Sequence, residues 1–73
     1  MNREEFKKFI ESIGFKYNVY SYLYKEYIID LYEYTYEFYN GSGWVGYDYN
    51  DLSPLEKEFK KELRSVKLKE LLR

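Results

Sequence analysis

The chain has no cysteine and no histidine among its 73 residues. The first absence removes any disulfide staple, and the two together remove the usual zinc ligands, so a domain this small must rest on its hydrophobic core. Without imidazole, Ser-His-Asp triads, Cys–His pairs and histidine general bases are excluded. Catalysis would need tyrosine, lysine or paired carboxylates in a cleft, and no such constellation stands out; the expectation is a non-enzymatic protein with no cofactor and no metal. Alanine is also missing, proline occurs once and glycine four times. Apolar runs reach only two or three residues, as in Tyr27-Ile28-Ile29, too short for a membrane span or a signal-peptide core. These absences point to one soluble, cytoplasmic domain over residues 1–73 with no membrane partner.

Tyrosine is abundant, with 11 copies, and charged residues make up 34% of the chain. Phe, Tyr, Met, Ile, Asn and Lys, all written with AT-rich codons, supply 34 residues against 8 for Gly, Ala, Arg and Pro. In this composition the chain resembles small phage and mobile-element accessory proteins of AT-rich genomes. The resemblance covers no diagnostic motif; it implies work in a host cytoplasm.

The formal net charge of −1 hides a strong asymmetry. Residues 1–16 carry +1, from Arg3, Lys7, Lys8 and Lys16 against Glu4, Glu5 and Glu11. Residues 17–52 carry −5, with Lys25 alone against Glu26, Asp30, Glu33, Glu37, Asp48 and Asp51. The remainder carries +3. An acidic middle between basic ends either neutralises itself by packing or offers its faces to different partners.

Asn2 and Glu5 have capping-box spacing, and Phe6, Phe9, Ile10 and Ile13 follow at i, i+3, i+4, i+7, so a short amphipathic helix is predicted, ended by Gly14. From Phe15 to Tyr49 tyrosine and β-branched residues dominate, which favours strands. The predicted strands are Tyr20–Tyr24, Tyr27–Tyr32, Tyr34–Tyr39 and Trp44–Tyr49, with Asn40-Gly41 as a tight hairpin turn. Ile29, Leu31, Tyr34, Tyr36 and Phe38 are expected to face inward and Asp30, Thr35 and Glu37 outward. A rival pattern exists: Leu23, Tyr27, Leu31, Tyr34 and Phe38 also fall at helical spacing, which would give a three-helix bundle.

Ser53-Pro54-Leu55-Glu56 reads as a helix start, with Ser53 as N-cap, Pro54 at N1 and Glu56 closing the box. Leu55, Phe59, Leu63 and Val66 share one face, and Lys57, Lys60, Lys61 and Arg64 the other. The phase then breaks, so the helix is expected to bend or stop near Ser65. The fold class is therefore α+β: an N-terminal helix, a three- to four-stranded antiparallel tyrosine-rich meander and C-terminal helix, with the three-helix bundle as alternative.

Two surfaces are candidates for binding. The first is acidic and tyrosine-rich, with Trp44, Tyr47, Tyr49, Glu33, Glu37 and Asp48 meeting a basic protein partner; Trp and Tyr dominate interface hot spots. Trp44 serves equally well as an anchor of a small core. The second is the basic ridge Lys57, Lys60, Lys61 and Arg64, a candidate for nucleic-acid phosphates, although Glu56, Glu58 and Glu62 interleave with it. Tyrosines on a sheet also suit base stacking, but the acidic setting opposes a phosphodiester. Asp48-Tyr49-Asn50-Asp51 fails as a calcium loop, because the sixth place from Asp48 is Ser53 and the twelfth Phe59. Leu68, Leu71 and Leu72 either fold back on the sheet or form a homodimer seam.

Overall fold

The computed structural model describes residues 1–71, with side chains through Ser65. Helix α1 (Arg3–Ile13) starts at the capping box: Asn2 Oδ1 accepts from the Glu5 amide at 2.9 Å, and Glu5 Oε1 from the Asn2 amide at 3.0 Å. Two otherwise orphaned donors are thereby satisfied. Phe6, Ile10 and Ile13 form its buried stripe. Gly14 ends the helix at φ 134°, donating its N–H to the Ile10 and Glu11 carbonyls. A Cβ at Gly14 would stand 2.7 Å from Tyr24 Cε1, so both the backbone and the space demand glycine.

Five strands follow: β1 (Lys16–Asn18), β2 (Ser21–Tyr24), β3 (Tyr27–Leu31), β4 (Thr35–Tyr39) and β5 (Trp44–Asp48), paired in chain order as an antiparallel meander. Helices α2 (Ser53–Glu58) and α3 (Lys60–Leu71) close the chain. The architecture is α+β, with one strand more than the four expected. The bundle fails because its supposed helical stripe is divided by the pleat. Tyr27, Leu31 and Phe38 face the core, Leu23 pairs with Ile28 on the opposite face, and Tyr34 sits in a turn, 75% exposed, instead of facing inward.

β1 was hidden by its turn. Val19 has φ 59°, and the Tyr20 amide bonds the Asn18 carbonyl across it, a three-residue turn that is uncommon and strained for a β-branched residue. Lys25 likewise takes φ 54° between β2 and β3. The β4–β5 connection runs from Asn40 to Gly43 and is longer than a two-residue turn. Only Gly41 has a positive φ, at 99°, while Asn40 Oδ1 accepts from the Ser42 amide and hydroxyl.

The core contains Phe6, Ile10, Ile13, Phe15, Tyr22, Ile29, Tyr36, Phe38, Tyr49, Leu55 and Phe59, drawn from all three layers of sequence. Burial contributes about 1.5–3 kcal/mol for a large side chain of this kind. Polar tips inside it are satisfied: Tyr36 Oη donates to the Asp51 carbonyl at 2.5 Å, and Tyr49 Oη to the Tyr32 carbonyl. Phe59 sits among Phe15, Tyr24, Tyr27 and Phe38, with ring centroids 4.8–6.2 Å away.

That packing relocates two expected features. The helix breaks at Phe59 (φ −120°, ψ 40°), not near Ser65, because the bend seats the ring in the sheet while Glu58 and Glu62 reach two neighbouring tyrosines. Ser53 is not the cap. Its amide and hydroxyl both donate to Asp51 Oδ1, at 3.2 and 2.6 Å, and no side chain caps α2. The expected box loses to this local carboxylate turn, which leaves the serine hydroxyl facing away from the helix amides. Leu55 and Phe59 are buried and Leu63 packs against the core as the spacing requires. Val66 and the proposed seam of Leu68, Leu71 and Leu72 lie outside the described side chains. Among the described residues, no helix is long and apolar enough to cross a membrane.

Candidate functional site

All three helices contribute to the core on one side of the sheet. Directly opposed residues in an antiparallel ladder share a face, so the register reads out the other side. Leu23, Ile28, Tyr39 and Trp44 lie in one row across β2 to β5. Beside it runs a second row, in which Asp30 pairs with Glu37 and Glu37 with Gly46. Thr35 and Asp48 form a third pair. Nothing among the described residues covers this face: Trp44 is 46% exposed, Leu23, Ile28 and Tyr39 are half-buried by one another, and Asp48 is exposed.

The Trp44 ring is held against Tyr39, with centroids 5.4 Å apart and planes tilted by 41°, and Tyr39 Oη reaches the Gly41 carbonyl at 3.2 Å. Tryptophan at this place does not anchor the core. It presents a pre-positioned aromatic surface at the rim of an uncovered sheet.

The charges on the face are held with equal care. Ser21 Oγ donates to Asp30 Oδ1 across the β2–β3 ladder. The neighbouring Glu37 carboxylate holds the Tyr32 phenol pKa above its usual value. Asp48 Oδ1 accepts from the Asn50 amide at 2.8 Å, which ties its carboxylate into the turn after β5. The one cation in register with the apolar row is Lys16, paired with Leu23 at the far, β1 end. The face is therefore apolar along one line and anionic along the next, at the β3–β5 half of the sheet.

The six residues expected to form the acidic surface do not all meet. Trp44, Glu37 and Asp48 share the uncovered face, and Glu33 lies exposed in the β3–β4 turn. Tyr49 leaves the surface: at 3% exposure it is in the core against Phe6 and Tyr36. Tyr47 opposes Tyr36 and stacks on it at 5.5 Å, so it belongs to the helix-covered face. The reason is parity. Tyr47 stands three residues after Trp44 and so points to the opposite face, and beyond the strand's end at Asp48 Tyr49 turns inward. Leu23, Ile28, Tyr39 and Asp30 were missed because their membership requires the pairing register. Period-two counting from Trp44 to Gly46 and Asp48 was the available signal.

The basic residues occupy the other side of the molecule. Lys57, Lys60, Lys61 and Arg64 are exposed, but the bend at Phe59 divides them between two helices. Glu58 and Glu62 stand among them as hydrogen-bond acceptors, from Tyr27 Oη at 3.0 Å and Tyr24 Oη at 2.9 Å. Lys25 adds an ion pair to Glu62 at 3.8 Å. Burial alone would raise the Glu62 pKa, yet the Tyr24 hydrogen bond and the charges of Lys25 and Lys61 outweigh it and hold the carboxyl below its usual value. These carboxylates lower the positive potential that a phosphate backbone would require. A groove of about 400 Å³ lined by Phe9, Leu52, Glu56, Lys60, Leu63 and Arg64 lies between α1 and the C-terminal helices. Comparison with protein-family models, with curated proteins and with solved structures finds no match.

Proposed function

We propose that the chain is a non-enzymatic protein-binding module whose uncovered sheet face docks on a basic surface of a partner protein. The observation that carries this is the pairing of an aromatic–aliphatic row, Leu23, Ile28, Tyr39 and Trp44, with an anionic row, Asp30 and Glu37, on one rigid face. Apolar contact supplies affinity, while the carboxylates steer a cationic partner and reject anionic ones. Such a job suits a phage-borne accessory or inhibitor protein acting in the host cytoplasm, in keeping with the AT-rich composition. The basic residues on α2 and α3 face away from this surface and keep the small domain near neutrality.

The test compares capture from a lysate of the organism carrying the gene by the parent chain, by Trp44→Ala and by Glu37→Lys, with captured proteins identified. A basic protein retained by the parent at low salt, released by moderate salt and lost by each variant supports the proposal. Capture unchanged in both variants overturns it.

A further inference from the structure

Among the described residues, β5 pairs with β4 alone, which makes it one edge of the sheet. Proteins usually protect such edges with short length, lysine, proline, bulges or a covering element, because the open ladder invites another strand. The opposite edge has these devices: β1 is only three residues long, begins with Lys16 and ends in the strained Val19 turn. β5 has none. Its five residues, Trp44-Val45-Gly46-Tyr47-Asp48, include no lysine and no proline, and Val45 is 51% exposed although it belongs to the helix-covered face.

Gly46 stands out because the fold does not require it. Its φ is not positive, and a Cβ built there would meet only Glu37 Cγ at 3.9 Å and the Tyr36 carbonyl at 4.0 Å, which is ordinary contact. A glycine inside a strand weakens it and often marks a close approach by another chain. Here it opens a gap on the uncovered face, between Trp44 and Asp48 and directly beside Glu37.

We infer that β5 receives an extended segment of the partner by strand addition, with a lysine or arginine of that segment lying over Gly46 to reach Glu37. This rests on the docking face proposed above and specifies its mode. An added strand alternates its side chains between faces. On the uncovered face they meet Trp44, the Gly46 gap, Glu37 and Asp48, which select cations. On the other face they meet the exposed Val45 and the Tyr47 ring, which favour apolar residues, beside a groove of about 270 Å³ whose walls also carry Lys57 and Glu58. The recognised pattern is therefore basic-apolar alternation. A second copy of this chain is the poorer occupant: antiparallel pairing of two β5 strands about Gly46 brings Glu37 and Asp48 of both copies onto one face, with no cation on β5 to offset them.

The probe is the peptide acetyl-Lys-Val-Lys-Val-Lys-Val-Lys-amide, titrated into the 73-residue chain at low salt and followed by amide exchange and Trp44 fluorescence. Binding should slow exchange of the β5 amides that do not pair with β4. N-methylation of alternate peptide residues in the register facing β5 should weaken binding about tenfold or more, since at least two main-chain hydrogen bonds are lost. Gly46→Val should weaken it to a similar extent while leaving far-UV circular dichroism unchanged, and Glu should not replace Lys in the peptide. Equal binding by both N-methylated registers, with loss in Glu37→Lys, overturns strand addition while leaving the docking face standing. No binding by the peptide, or self-association of the chain through β5 in its place, also overturns it.

Discussion

Phe59 is the point where a single substitution tests the packing on which the two-faced sheet depends. Its ring is 1% exposed and touches Phe15, Tyr24, Tyr27 and Phe38, with centroids from 4.8 Å to 6.2 Å. It also sets the bend that lets Glu58 and Glu62 accept from Tyr27 and Tyr24. Phe→Ala at such a site removes the transfer energy of the ring and leaves a cavity, together about 3–5 kcal/mol. A domain of 73 residues has a total stability of about 4–11 kcal/mol at the usual 0.05–0.15 kcal/mol per residue. Phe59→Ala should therefore remove a large share of the stability, whereas Phe59→Leu, which keeps much of the volume, should cost about 1–2 kcal/mol. Urea unfolding followed by Trp44 fluorescence and circular dichroism measures both. With a slope near 1 kcal/mol per molar for so small a chain, the alanine variant should lower the midpoint by about 3–5 M, or be unfolded without urea. A loss below about 1 kcal/mol would refute the reasoning, because the C-terminal helices would then not be fastened to the sheet through this ring.

Gly14→Ala should destabilise by more than about 1 kcal/mol, since it places a Cβ at 2.7 Å from Tyr24 in a backbone conformation that L side chains avoid, and calorimetry would show the fall in Tm. Val19→Asn should do the reverse, by about 1 kcal/mol, because asparagine tolerates the positive φ that the β-branched residue does not; an unchanged urea midpoint would argue against strain there. At high pH, burial raises the Tyr22, Tyr36 and Tyr49 pKa values, and the hydrogen bond to Glu58 raises that of Tyr27. Their stabilisation is complete below the unfolded value near 10 and lost as the pH climbs towards the folded values, so phenolate absorbance of these groups should rise together with loss of structure. Glu62 has the opposite sign: its folded pKa lies below the ordinary 4.5, so its contribution is present above that value and lost as the pH falls through the folded one. Glu62→Gln should flatten the acid limb of the stability curve.

Local chemistry was enough to announce several elements. The Asn2–Glu5 box, the Phe6, Ile10 and Ile13 stripe and the Gly14 stop name α1 without reference to the rest of the molecule, because capping and helical periodicity act within a few residues. The tyrosine and β-branched stretch likewise announces strands, and Leu55, Phe59 and Leu63 announce a buried helical face. Two further elements were less visible. β1 ends at Asn18, but the positive φ of its turn falls on Val19, a β-branched residue that carries no turn signal, so the turn gave little local warning. The Ser53 box looked complete but was outcompeted by the Asp51 carboxylate two residues away.

The candidate site depended on more distant relations. Trp44, Glu37 and Asp48 were recognisable as binding residue types, but which of their neighbours share a face follows from strand register, and a shift of one residue reverses every side chain. Alternation along β5 separates Trp44 from Tyr47, but only the folded sheet buries Tyr49 against Phe6 and joins Leu23, Ile28 and Tyr39 into one row. Composition and short-range pattern thus decided the kinds of element and their order. Which face stays open, which edge stays unpaired and where the helix bends at Phe59 were decided by long-range packing, since those outcomes depend on contacts between residues far apart in the chain.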